Sequence, residues 1–160
     1  MTPLATVLTV VVAVGAGAVG GVFFAYSTFT MSALARLAPA DGAAAMQSIN
    51  REAPRAPLMG LMFGTAAAGV ALAVTAALNL EDAASAFQLI AVAIYLLGVI
   101  VVTGAYHVPR NNRLRDVDTA SPEGIRYWST YLREWVRMNH IRTLAPLATA
   151  ALLAIALQIG

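Results

Sequence analysis

The side chains able to do chemistry are few, and they gather where long apolar runs end. One run stops in "TGAYHVPRNNRLRD" (residues 103–116), which holds Tyr106, His107 and Asn111. A second segment, "YWSTYLREWVRMNHIRTLAP", carries Trp128, Trp135, Asn139, His140 and Arg142, and "MQSIN" ends in Asn50. His107 and His140 are the only two histidines, and imidazole is the usual side chain for moving a proton near neutral pH. Asparagine amides and the Arg142 guanidinium are donors that can meet a developing oxyanion, each worth about 3 kcal/mol when well placed. Indole and phenol rings make walls for a flat apolar ligand. Cysteine is absent, so thiolate ligands and thiol nucleophiles are excluded.

Helical spacing brings several of these groups together. At 100° per residue, Trp128, Trp135 and Arg142 fall within about 40° of one another, and Asn139 lies about 40° from Trp135. Tyr95 and Tyr106 are offset by about 20° and are expected to face one cavity. The expected donors are Asn50, Asn111, Asn139 and Arg142, and the expected walls are Tyr95, Tyr106, Trp128 and Trp135. For the base, His140 lies about 140° from Trp135 around its helix, which favours His107 on geometry.

The elements that must hold these residues are membrane helices. The chain of 160 residues is 59% hydrophobic and only 11% charged, with a mean hydropathy of +0.73, against about 25% charge in soluble domains. No Arg, Asp or Glu occurs in residues 1–35, 56–80, 83–109 or 143–160, and about 20 apolar residues cross a bilayer. The expectation is an all-α, integral membrane four-helix bundle forming one domain over residues 1–160. Its spans are about 4–29, 57–78, 87–106 and 139–159. A short interfacial helix over about 41–53 fills the first loop, and an extension over about 122–138 leads into the fourth span. The first span lacks the basic leader of a signal peptide and is expected to be retained.

All ten basic residues are arginine, and they fall in the first loop and in residues 110–142, leaving "NLEDAAS" without any. The positive-inside rule then predicts a multi-pass cell-membrane protein with both termini on the non-cytoplasmic side. Its arginines face anionic headgroups of the lipid bilayer; no nucleic-acid reading motif accompanies them. Gly17 with Gly21, and Gly60 with Gly64, share the four-residue spacing that lets helices approach closely, predicting a tight pairing of the first two spans or a homo-oligomer through these faces. Asp41 and Ser121 are expected N-caps, with Pro122 and Glu123 suited to the first turn that follows. Pro146 predicts a kink near Arg142.

"MQSIN", "HVPRNNRL" and "YW…W…NHIRTLA" resemble, in order, spacing and hydropathy over nearly the whole chain, the DUF1772 family, which includes the anthrone oxygenase-like membrane proteins. The resemblance implies a small four-helix membrane protein and an oxidoreductase activity that oxidises a lipophilic aromatic or quinone-type small molecule with O2 after base-assisted deprotonation. It implies no flavin or haem cofactor, and no metal is predicted. The positions matching its motifs are Asn50, Pro109, Asn111, Trp135, Asn139 and Arg142. In this reading His107, His140, Asn139 and Arg142 are catalytic, and Asn50, Tyr95, Tyr106, Asn111, Trp128 and Trp135 bind substrate. Two alternatives stand beside it. One is a non-enzymatic accessory subunit, assembly factor or transporter component, although no carboxylate lies inside a span to relay ions. The other is a copper or iron oxidase in which the two histidines join Glu52 or Glu134.

Overall fold

The computed structural model describes the backbone of residues 1–160 and every side chain except that of Ala56. Five helices follow one another: α1 (Pro3–Leu34), α2 (Pro39–Glu52), α3 (Ala56–Ala77), α4 (Ala83–Asp116) and α5 (Pro122–Ile159). All but α2 are long and apolar enough to cross a membrane, and the chain is a multi-pass, all-helical membrane protein. At 1.5 Å per residue, the 38 residues of α5 reach about 57 Å and the 34 of α4 about 51 Å. Both exceed a hydrocarbon core of about 30 Å, so they project beyond it at the arginine-bearing end.

Each span packs on its sequence neighbour and α1 closes the ring against α5, the up-and-down arrangement of a four-helix bundle. Val12, Leu72, Ala91, Val92 and Leu153 fill one layer, and Ala16, Val19, Phe23, Met62, Tyr95 and Val99 the next. Lipid is as apolar as these side chains, so specificity between spans must come from shape and polar ties. Gln88 Nε2 donates to Thr9 Oγ1 at 3.0 Å, and Thr149 Oγ1 donates to the Ala91 carbonyl at 3.0 Å. At the end opposite the arginines, the Met1 ammonium meets Asp82 Oδ2 at 2.8 Å, and the same Asp82 caps α4 by accepting from the Ala84 amide.

The first two spans pair as expected, but not through the expected glycines, whose faces stay outward, where a homo-oligomer contact would need them. Gly17, Gly21, Gly60 and Gly64 all face open space, with nothing within 4 Å of where a Cβ would stand. The close approaches belong instead to Gly15 against Thr65, Gly20 against Leu147 and Gly98 against Ala145. A four-residue spacing marks a smooth stripe without saying which side of the helix faces inward. Here the inward side of α1 is set by Val12, Ala16, Val19 and Phe23.

Two boundaries also differ. α2 starts at Pro39, with Asp41 inside its first turn rather than at the cap. The third span does not stop at Tyr106. It runs on to Asp116 through two π-helical stretches, Leu96–Val101 and Thr103–His107, before regular helix resumes at Val108. Pro109 reads as a stop because a proline ring crowds the preceding turn; the wider π turn just ahead of it gives that ring room. Beyond it, Gln47 Nε2 on α2 donates to the Leu114 and Val117 carbonyls at 2.9 and 3.0 Å, tying off the end of α4. In α5, Ser121 Oγ accepts from the Gly124 amide at 3.0 Å, as expected. The extension and the fourth span form one helix that continues through Pro146.

Candidate ligand cavity

The arginine-side half of the bundle encloses a cavity of about 310 Å³, within the size range of small-molecule sites. Val22, Phe23 and Tyr26 come to it from α1, Met46, Ile49 and Asn50 from α2, and Leu58, Met59, Met62 and Phe63 from α3. α4 supplies Ile100, Thr103, Gly104, Val108 and Asn111, and α5 supplies Trp135 and Arg142. The lining is apolar apart from the Tyr26 hydroxyl, Thr103, two amides and one guanidinium.

Arg142 is the central feature. It is only 5% exposed, and among the described residues no carboxylate lies within ion-pair distance of it. Its Nε and Nη2 donate to Asn139 Oδ1 at 3.1 and 2.7 Å, and Nη1 donates to Thr103 Oγ1 at 3.3 Å. Phe23 and Trp135 present their rings to the cation, 4.2 and 5.1 Å from the guanidinium carbon. Guanidinium has five N–H donors; three are engaged here, which leaves two for a ligand. Asn139 in turn is completely buried, and its Nδ2 donates to the Phe23 carbonyl and to Ser27 Oγ, both at 2.8 Å. Ser27 lies within the π turn Tyr26–Thr30 of α1 and Phe23 just ahead of it, where the regular backbone ladder is displaced.

The second polar wall is assembled by Tyr131. Its hydroxyl donates to Asn111 Oδ1 at 2.7 Å and accepts from Asn50 Nδ2 at 3.3 Å, while Trp135 Nε1 also donates to Asn111 Oδ1 at 3.1 Å. With its oxygen held by two donors, Asn111 has its amide N–H groups left over. Sequence reasoning misses Tyr131, Ser27 and Thr103. Tyr131 was within reach, since it lies four residues before Trp135 and so on the same helix face.

Of the ten expected site residues, Asn50, Asn111, Trp135 and Arg142 line the cavity and Asn139 supports it from behind. The other five are placed elsewhere. Tyr95 is buried under the cavity floor and donates to the Met62 carbonyl at 3.0 Å. Tyr106 lies half-buried beneath the Arg110 guanidinium, 3.5 Å from its ring centre. Their expected shared face depends on a regular helix between them; the intervening π turn changes the register. Trp128 is stacked on Tyr131 at 5.8 Å and packs against Gly42 of α2, away from the cavity. His140 is exposed in an outer groove with Leu132, Val136 and Arg137. His107 is fully buried, edge-on to Trp135 at 5.0 Å, and neither ring nitrogen has a hydrogen-bond partner. It is behind the cavity wall, not in it.

The iron or copper alternative loses its proposed ligand set. Among the described residues no three of His, Cys, Asp and Glu gather. Glu134 pairs with Arg110 and Glu52 with Arg55, while the two histidines face opposite ways.

The fold and site define the class as multi-pass helical membrane bundles, here with an apolar cavity and a buried cation at its wall. Within it, the chain belongs to the anthrone oxygenase family, whose model matches residues 57–152. That stretch takes in α3, α4 and most of α5, hence Asn111, Trp135, Asn139 and Arg142, whereas Asn50 and the α1 side of the cavity precede it. No curated protein and no solved structure matches the chain.

Proposed function

We propose that this protein is an anthrone oxygenase-like membrane oxidoreductase, oxidising a flat lipophilic aromatic or quinone-type molecule with O2. The observation that carries the reading is Arg142: a buried guanidinium with no carboxylate partner and two uncommitted N–H donors, at the wall of an otherwise apolar cavity. Burying a charge costs free energy unless it is paired. A ligand oxygen that becomes anionic during reaction supplies the missing partner at the moment it is needed.

For a tricyclic anthrone, the ketone oxygen points to Arg142 and the amide of Asn111, with the rings against Trp135 and Phe23. Loss of a benzylic proton gives the enolate, whose oxygen the guanidinium stabilises. The carbanion carbon bonds to O2, and the resulting hydroperoxide loses water to leave a second carbonyl, so that anthrone and O2 become anthraquinone and water. This sequence calls for no flavin, haem or metal. No side chain is assigned as the base: the cavity lining holds neither histidine nor carboxylate, and His107 stands behind Trp135; the proton is carried off by water and one is returned to the peroxide anion. His140 has no part in it. The arginine-bearing end faces the cytoplasm and both termini lie outside, on the positive-inside rule.

The test is anthrone-dependent oxygen uptake and anthraquinone absorbance for protein in lipid vesicles, corrected for the uncatalysed rate. Arg142→Met keeps an apolar stem and removes the charge, and the rate is expected to fall by about 10²–10³. Wild-type turnover in Arg142→Met would refute the role of the buried cation.

A further inference from the structure

We propose that the cavity opens sideways into the bilayer, through a window between α3 and α4, and that Gly104 is the residue that keeps this window open. Three observations converge. First, three of the four exposed cavity-lining residues are on these two helices: Phe63 is 52% and Val108 44% exposed, and Gly104 is exposed as well, while the fourth, Pro54, lies in the turn between α2 and α3. Second, α3 packs along Ala83–Tyr95 of α4, and this packing thins over Leu96–Val101, where the first π turn begins. A π turn widens and redirects a helix, and two in succession carry the arginine-side half of α4 away from α3. Third, a Cβ built on Gly104 meets nothing within 4 Å, so close packing is not what requires glycine there.

The rim has the chemistry of lipid. Neither α3 over residues 56–80 nor α4 over residues 83–109 bears an Arg, Asp or Glu. A molecule using this window comes from the hydrocarbon in its uncharged form and meets its first charge, Arg142, only inside. That identifies the ligand class as neutral, flat and membrane-dissolved, ionising after it binds. A second groove, bounded by Val22, Ser48, Glu52 and Arg55, adjoins the cavity and has a charged rim. Tyr26, Ile49 and Leu58 stand between the two, and this groove is the competing, water-side route.

The inference rests on the cavity being a ligand site and not on the oxidation step. The chain has no cysteine, so a single Met62→Cys places one thiol in the cavity wall. In lipid vesicles its modification is followed with N-phenylmaleimide, which partitions into the bilayer, and with a charged, sulfonated maleimide. The phenyl reagent is expected to label it, and the added Gly104→Phe to slow that labelling by about tenfold or more, the effect of an added barrier of about 1.4 kcal/mol. Gly104→Ala leaves the window open and Gly17→Phe adds the same ring on a remote outward face, so both keep the original rate. An unchanged rate in Gly104→Phe, or faster labelling by the sulfonated reagent, overturns the window and leaves the Arg142 reading standing. Failure of both reagents to label Met62→Cys shows a closed interior and removes both.

Discussion

Asn139 separates two jobs that a single alanine substitution would confuse: tying α5 to α1, and holding Arg142 without neutralising it. It makes four hydrogen bonds, two to α1 and two from the guanidinium, all buried. In Asn139→Ala the two interhelical bonds cost about 0.6 kcal/mol each, the average for such ties in membranes. The larger loss is at Arg142, where a buried charge is left with Thr103 alone, and breaking such an arrangement costs about 3–5 kcal/mol. For a chain of this length each kcal/mol lowers the melting temperature by about 2–4 °C, so a total loss of about 4–6 kcal/mol should lower it by about 8–25 °C. In Asn139→Asp the carboxylate still accepts from Arg142, the Ser27 bond is kept only by turning the hydroxyl to donate, and a carboxylate oxygen replaces the donor that faced the Phe23 carbonyl. Stability should then stay within about 2 kcal/mol of wild type. The guanidinium, however, now has an internal counter-charge, and anthrone turnover should fall by about 10²–10³. Thermal unfolding followed by tryptophan fluorescence, with oxygen uptake on the same samples, measures both quantities. An Asn139→Asp protein that oxidises anthrone at the wild-type rate would refute the argument that an uncompensated charge drives the chemistry.

The glycines make a paired prediction. Gly98→Leu, forced against Ala145, should destabilise by about 1–3 kcal/mol through overpacking between α4 and α5, whereas Gly17→Leu should stay within about 0.5 kcal/mol, both read as melting temperatures in one detergent. At the opposite end of the bundle, hydrogen bonds from the Met1 ammonium and the Ala84 amide hold the Asp82 carboxyl below its ordinary value of 3.8. A lowered folded-state pKa contributes stability above that value and loses it as pH falls through the folded one. Amide protection factors at the start of α4, which remove the intrinsic pH dependence of exchange, should therefore fall in acid for wild type and be almost independent of pH in Asp82→Asn.

How much could be read beforehand depended on whether a feature is set by composition or by register. Charge-free runs locate the four spans because hydrocarbon excludes charge wherever a helix crosses it. The Ser121 cap and the stripe Trp128, Trp135, Asn139, Arg142 were legible because α5 is regular from end to end. Asn139 was legible as a donor on the tryptophan face but not as a tie, since its partners are a carbonyl and a hydroxyl of α1, 116 and 112 residues away. The glycine stripes named the wrong residues for the pairing of α1 with α3, because spacing alone carries no direction.

The errors on α4 share one cause, and that cause bears on function. Tyr95 and Tyr106 are expected to share a face by counting 100° per residue, and His107 is preferred because His140 lies about 140° from Trp135; on a regular helix His107 would also fall within about 20° of the cavity-lining Ile100. Each residue inserted by a π turn shifts everything after it by about 100°, and α4 has two such turns between Tyr95 and Val108. The shift turns Tyr95 and Tyr106 to different neighbours and brings His107 against the back of Trp135. The same two turns carry α4 away from α3 beside the cavity. A regular α4 would continue its packing along α3 and close the gap between Phe63 and Gly104. Those turns therefore account for the loss of the face that Tyr95 and Tyr106 were expected to share, and the proposed opening between α3 and α4 rests on them.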